Sequence, residues 1–351
     1  MNDTKKALQQ FREGTVIPAL PLALNTKREW DKQRQRAIIR YFLAAGAGGI
    51  AAAVHTTQFE IRQIGLYEPL LKLVMEEVNA FCTNTGKAVM CIAGACGPVQ
   101  QASKEAEIAK KLGYHAVLLS PGGLADYNEE MFVERTKQVA KILPVVAFYL
   151  QTAVGGRQFT YDYWQKICAI DNVIGIKSAP FNRYQTLDLV RAATLSSRSD
   201  EISLYTGNDD NIILDLLTKY RFTHEGKVYE KGFVGGLLGH WAVWVQNAVQ
   251  QLELIKKLRD KSEIPAELLT LAQQVTDCNA AFFDTNTQFK GCIAGVHEVL
   301  RRQGLLEGIW CINPDETLSP GQSEEIDRVY AMYPDLNDDG FVKENLAKWL
   351  N

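Results

Sequence analysis

A lysine closes the apolar run Asn-Val-Ile-Gly-Ile-Lys at positions 172–177, and Ser178 and Pro180 break the pattern behind it. A run of β-formers without polar alternation marks a strand buried on both faces, and lysine is among the residues least often buried without a partner. Among apolar strands an ammonium is desolvated and its pKa falls. The neutral amine is then a nucleophile that can attack a carbonyl carbon and form a Schiff base. The protonated imine withdraws electrons, so the adjacent carbon is easily deprotonated or cleaved. The plainer reading of Lys177 is a strand-end lysine that reaches solvent or pairs with an acid. Tyr149 ends another apolar run, 144–149, 28 residues earlier. A phenol beside an imine can shuttle protons, although a lone strand-end tyrosine is more often a rim residue. Thr56 and Thr57 follow the run 49–54. Their two hydroxyls and two backbone N–H groups would cradle a small carboxylate; a threonine pair capping the next helix is the alternative.

These three stretches belong to a regular alternation. β-rich runs fall at 15–20, 49–54, 88–93, 115–120, 144–149, 172–177, 202–206 and 231–235, with helical periodicity between them, as at 28–45, 67–83, 99–112, 129–142 and 183–195. Eight strand–helix units in succession predict an α/β fold of the (β/α)8 TIM-barrel type, in which strand C-termini converge on one mouth. A doubly wound sheet is the runner-up, but no GxGxxG follows the first strand and no P-loop signature is present. The glycine-rich stretch 232–241 ends the eighth expected strand, where a barrel brings its backbone close to an anionic ligand. From 251 the pattern is helical, at 265–285, 290–304 and 322–333. The expected organisation is a barrel over 1–250 carrying the active site and a helical region over 251–351 packed on it.

Composition narrows the function classes. Of 351 residues, 46% are hydrophobic and 23% charged, with a formal net charge of −3. That balance gives no footprint for nucleic acid or for an anionic membrane. No apolar segment reaches the ~18 residues of a membrane span, and the polar N-terminus lacks a signal peptide's apolar core. Seven scattered cysteines, with no CxxC pair, predict reduced thiols in a cytoplasmic protein. Asp335, Asn337, Asp339 and Gly340 form half of an EF-hand loop, but Leu346 stands where the bidentate glutamate belongs. A turn leading into an amphipathic helix (Phe341, Leu346, Trp349, Leu350) fits better.

Taken together, these motifs resemble the dihydrodipicolinate synthase/N-acetylneuraminate lyase family of class I Schiff-base aldolases. Gly175-Ile176-Lys177 matches the family's GxK strand end and Tyr149-Leu150-Gln151-Thr152 its YNxP strand end. His55-Thr56-Thr57-Gln58, with Glu60, matches its GTTGE loop, and 205–210 its SGDD loop. The resemblance implies that Lys177 forms the imine with pyruvate or another 2-oxo acid and that Tyr149 relays protons. It implies that Thr56 and Thr57 hold the carboxylate and that the backbone near Gly207 and Gly235 borders the pocket. It calls for no cofactor and no metal, and it implies a homotetramer.

The departures bear on the substrate. The family's synthases end the fourth strand with a tyrosine pair, but here the place reads Ser-Pro-Gly-Gly, 120–123, and Tyr127 comes too late to fill it. Their carboxylate-gripping arginine falls near Val154 here, and Arg157 comes three residues late, too far to assume the same bidentate contact. The loop glycines have become His55 and Gln58, which reshape the pocket floor and offer polar contacts. His55 is also an acid–base candidate or simply a packed strand-end residue. A lyase acting on a 2-oxo acid, but not a dihydrodipicolinate synthase, is the expectation. Dehydration of a sugar-derived 2-oxo acid through the same imine, or a non-catalytic ligand-binding role, are the alternatives.

Overall fold

The computed structural model describes residues 2–351. Its first element is one the sequence reading did not assign, helix α1 (Thr4–Glu13), whose N-cap Asp3 accepts the backbone N–H of Lys5 and Lys6. The barrel follows as β1 (Val16–Pro18), α2 (Lys32–Ala45), β2 (Gly49–Ala52), α3 (Tyr67–Thr85), β3 (Met90–Ala95), α4 (Val99–Leu112), β4 (Ala116–Leu119) and α5 (Glu129–Ala140). It continues as β5 (Val145–Leu150), α6 (Tyr161–Cys168), β6 (Val173–Ala179), α7 (Arg183–Leu195), β7 (Ser203–Thr206), α8 (Ile212–Leu217), β8 (Lys219–His224), β9 (Lys227–Leu238) and α9 (Val245–Leu258).

Eight of these strands pair in parallel in the order β1-β9-β7-β6-β5-β4-β3-β2. The seam closes where Ala19 bridges Ala51 and Leu20 N–H donates to the Ala51 carbonyl at 2.8 Å. This is the expected (β/α)8 barrel. The ninth strand, β8, lies off the path and pairs antiparallel with the start of β9. Glu225 and Gly226, both at positive φ (50° and 76°), make the two-residue turn between them, the geometry that suits strand twist in a hairpin. The eighth barrel strand therefore runs to Leu238 and not to 235.

Alternation divides each strand between two cores. Ile17, Ala51, Ile92, Leu118, Val146, Phe148 and Leu237 fill the barrel interior, while Val145, Ala147, Tyr149, Ile176 and Leu204 face the helices. Phe11 of α1 plugs the N-terminal end. It stacks on Tyr205 at 4.5 Å between ring centroids, and its carbonyl accepts the Tyr205 hydroxyl at 2.7 Å. The N-terminal end is thus filled, and open space is left at the other.

The remaining helices are α10 (Glu267–Phe282), α11 (Cys292–Arg302), α12 (Gln322–Met332) and α13 (Asp339–Leu350). Position 250 falls inside α9, and the outer core is continuous from barrel helices to tail, with Tyr41, Val299, Val342 and Trp349 in one cluster. A buried polar junction fastens the tail. Asp338 accepts the Tyr41 hydroxyl (2.7 Å), Gln246 N–H (3.0 Å) and Gln303 Nε2 (2.8 Å), and Tyr41 accepts Val245 N–H (2.8 Å). The half EF-hand segment is thus a turn opening α13, with the Asp338 carboxylate taken up by protein donors. Among the described residues no helix is long and apolar enough to cross a membrane, and all seven cysteines are free. Asp338→Ala leaves a buried phenol and amide without their acceptor and should lower the unfolding free energy by about 2–4 kcal/mol, measured by urea denaturation.

Candidate active site

The C-terminal ends of the barrel strands surround a cavity of about 60 Å³, room for a few water-sized groups. Its walls are mostly apolar, built from Leu118, Phe148, Leu150, Phe181, Phe283 and Phe289, and its titratable groups are His55, Lys177, Asp209 and Cys292. Phe283, Phe289 and Cys292 come from the tail, so residues 1–250 do not complete the site by themselves. The division expected at 250 does not separate a self-sufficient catalytic unit from an accessory one.

Lys177 points into this cavity from β6 and is 8% exposed. Its amine lies 4.4 Å from the centre of the Phe148 ring and has no hydrogen-bond or ion-pair partner among the described residues. Burial lowers its pKa, opposed by the nearby Asp209 carboxylate. Gly207 passes so close that an added Cβ would lie 2.5 Å from Lys177 Cε. Only glycine fits beside the lysine there.

Tyr149 is not in the cavity. Val145 pairs with Val173, but the next pair is Val146 with Gly175, so Ile174 is an extra residue in β6. Past this bulge the partner of Lys177 is Phe148, and Tyr149 pairs with Ser178. The extra residue turns Lys177 to the inner face, whereas the unbroken alternation of β5 keeps Tyr149 on the outer one. Tyr149 packs instead on Phe159 and Trp164, with centroids at 5.7 and 5.0 Å, and its hydroxyl accepts Phe159 N–H at 3.2 Å. The expectation of a phenol beside the lysine rested on a spacing of 28 residues that holds only before the bulge.

The loop after β2 is also divided. His55 and Thr56 line the cavity, whereas Thr57 and Gln58 do not. The Thr57 hydroxyl donates to the Leu20 carbonyl at 2.6 Å and accepts Val54 N–H at 3.2 Å, which makes it a brace for the loop. Thr56 Oγ1 makes a longer 3.3 Å bond to the same carbonyl. Gln58 sits at φ +67°, a backbone shape that glycine adopts most easily. Its Oε1 accepts Ile312 N–H at 2.5 Å, so it ties this loop to the tail and does not contact the cavity. Gly235 also lies outside. An added Cβ there would meet the Thr15 carbonyl at 2.4 Å, deep in the barrel wall. Because β9 is longer than expected, Gly239 is the glycine at the rim.

His55 is held neutral, its pKa lowered to about 4 by burial and by the Lys177 charge. Asp209 is the residue that sequence reading passed over, although it stands two positions after Gly207 in the loop likened to SGDD. Asn208 fixes that loop by accepting Phe181 N–H (3.1 Å) and donating to Asp215 (2.9 Å). Asp209 Oδ1 accepts His240 N–H at 2.9 Å, while Oδ2 has no protein partner among the described residues. Burial raises the pKa of Asp209, and the Lys177 charge opposes the rise.

Ser120, Gly122 and Gly123 border a second, wider groove that shares Val154 with the cavity. Tyr127 packs on Phe132 at 5.3 Å. The Arg157 guanidinium lies over Phe132 and Phe159, at 5.4 and 5.8 Å, and donates to the Tyr127 carbonyl, so it lines neither space. Among the described residues no cluster of three or more His, Cys, Asp or Glu is placed to hold a metal.

A sequence profile of the dihydrodipicolinate synthetase family matches residues 12–219. The chain belongs to this family. Proteins named probable 5-dehydro-4-deoxyglucarate dehydratase from two Acinetobacter baumannii strains are 26% identical over 180 residues, 51% of this chain and 55% of theirs. The chain thus spans about half the length of these curated relatives. Among solved structures, dihydrodipicolinate synthase from A. baumannii complexed with pyruvate superposes with a TM-score of 0.74 at 17% identity, covering 91% of this chain and 98% of that one. N-acetylneuraminate lyase from Fusobacterium nucleatum gives 0.71 at 15% identity over 92% and 99%. These likenesses show the family's barrel fold, and coverage above 90% of the chain takes the superposition past the barrel into part of the tail.

Tyr149→Phe should leave turnover nearly unchanged, far from the roughly 10²–10⁴-fold loss expected of a general acid–base group. It should lower stability by about 1–3 kcal/mol, because Phe159 N–H loses a buried acceptor. Steady-state kinetics beside thermal unfolding separates the two effects.

Proposed function

We propose that this protein is a Schiff-base lyase in which Lys177 condenses with pyruvate or a related 2-oxo acid, for aldol cleavage or condensation. The observation that carries the reading is an unpartnered amine, desolvated at the C-terminal mouth of a barrel, facing a small, mostly apolar cavity. Structural neighbours complexed with pyruvate support the substrate class. Thr56, with the backbone of its loop, is the candidate holder of the carboxylate, and His55 a candidate polar contact.

The second substrate differs from that of a dihydrodipicolinate synthase. Among the described residues no cation other than Lys177 lines the cavity, and Arg157 is committed to aromatic faces. Losing a charged partner for a carboxylate costs about 1.5–3 kcal/mol, more than tenfold in affinity. Phe181, Phe283 and Phe289 favour an aldehyde with an apolar or aromatic body. A second reading, dehydration of a sugar-derived 2-oxo acid through the same imine, is favoured by the curated relatives named as dehydratases.

Incubation with pyruvate and borohydride should add a reduced pyruvyl mass to the peptide containing Lys177. The trapping rate should rise with pH and level off below lysine's usual 10.5, because burial favours the neutral amine. An unmodified Lys177 would sink the reading. Turnover of aromatic aldehydes should exceed that of aspartate semialdehyde in the same preparation.

The homotetramer belongs to the same reading. Tyr184 and Leu187, 82% and 44% exposed and three residues apart on α7, offer apolar surface for a second copy to cover. Light scattering at micromolar concentration should give four times the chain mass, and a monomer would refute it.

A further inference from the structure

We infer that Asp209 is the proton-transfer group of this site, taking the place of the Tyr149 phenol, which β5 carries on its outer face. The inference rests on the imine reading above and adds the residue that moves its protons. Three observations carry it. Phe148, which has no exchangeable proton, occupies the position opposite Lys177. Asp209 and Lys177 both line the one cavity, yet among the described residues neither has an ion-pair partner within 4.0 Å. Asp209 is also half-anchored: His240 N–H holds Oδ1, and Oδ2 is left for a ligand.

The other titratable groups in the cavity suit the task less well. His55 is a weak base with a pKa near 4, and burial pushes the Cys292 thiol well above its usual range, so it stays protonated. Burial raises the Asp209 carboxyl toward the range where acid and base forms are both available.

The steps balance as follows. The neutral Lys177 amine adds to C2 of the 2-oxo acid. One proton from that nitrogen and one from the Asp209 carboxylic acid leave with the C2 oxygen as water, giving a protonated imine beside an aspartate carboxylate. The carboxylate removes a proton from C3. The C3–H electron pair becomes the enamine double bond, and the imine π pair returns to nitrogen. When the enamine attacks an aldehyde, the new C–C bond forms and the Asp209 proton passes to the developing alkoxide. Cleavage is the reverse.

Two readouts on pyruvate test this: borohydride trapping at Lys177, and exchange of the methyl protons for deuterium in D2O followed by NMR. The native chain should show both. Asp209→Asn keeps an acceptor for His240 N–H. On long incubation it should still be trapped at Lys177, though more slowly because water leaves without the Asp209 proton, while its exchange falls by about 10²-fold or more. Lys177→Ala should lose both. Exchange by Asp209→Asn at the native rate would overturn the inference. Loss of trapping together with exchange, in a variant with native circular dichroism, would also overturn it, because Asp209 would then only set the reactivity of Lys177. Failure of the native chain to be trapped would overturn the imine reading itself, and Asp209's role would fall with it.

Discussion

Keeping the Lys177 amine out of water while leaving it free to react is the constraint around which the mouth of the barrel is arranged. An ammonium buried without a partner is costly, and the chain lowers that cost by favouring the neutral form. The Phe148 face and the Asp209 carboxylate, beyond ion-pair contact, return part of the stabilisation. A direct ion pair would hold the amine protonated. A wholly apolar wall would leave nothing to hold a polar substrate. The intermediate arrangement requires Gly207, since a Cβ at that position would displace the lysine's own methylenes.

The tail enters the same arrangement. Phe283 and Phe289 complete the apolar wall, and Phe289 joins Phe181 in an edge-to-face contact at 5.8 Å. Both Phe181 (52°) and Phe289 (66°) are held at positive φ, a conformation that costs of order 1–3 kcal/mol each and persists only where surrounding contacts impose it. Phe181 N–H is held by Asn208 Oδ1 at 3.1 Å and Phe289 N–H by the Asp284 carbonyl at 3.0 Å. Packing of the tail is thereby linked to the apolar wall of the Lys177 pocket.

Membership of the family does not fix how its site is executed. The loop that carries glycines elsewhere in the family holds His55 and Gln58 here, yet Gln58 retains a glycine-like φ and uses its side chain to bind the tail. Arg157 is spent on the Phe132 and Phe159 faces, where it braces the segment after β5. Such exchanges leave the barrel unchanged, because they fall in loops and at strand ends and the alternating core does not depend on them.

Much was legible in the sequence. The eight βα units, the position of Lys177 at a strand end and Thr56 at the mouth follow from local periodicity and from the rule that barrel strand ends converge, while His55 and Gly207 follow from the resemblance to the family's loops. Helix α1 and the β8–β9 hairpin were missed. The first is a short polar segment whose only deep anchors are Ala7 and Phe11, and the second turns on a Glu-Gly pair inside a charged stretch. Which neighbour faces the lysine was not legible. The spacing of 28 residues from Tyr149 to Lys177 is correct in sequence, but the bulge at Ile174 adds one residue to β6 and turns Lys177 inward, while the unbroken alternation of β5 leaves Tyr149 on the outer face. Facing depends on the pairing of two strands, a non-local property that neither strand's own pattern encodes. For the same reason Asp209 and the tail's phenylalanines became part of the site only when strands β6 and β7 and the helices after residue 266 were brought to one mouth. Residue types and the strand ends that bear them belong to the sequence; which of them share a cavity was decided by register and packing.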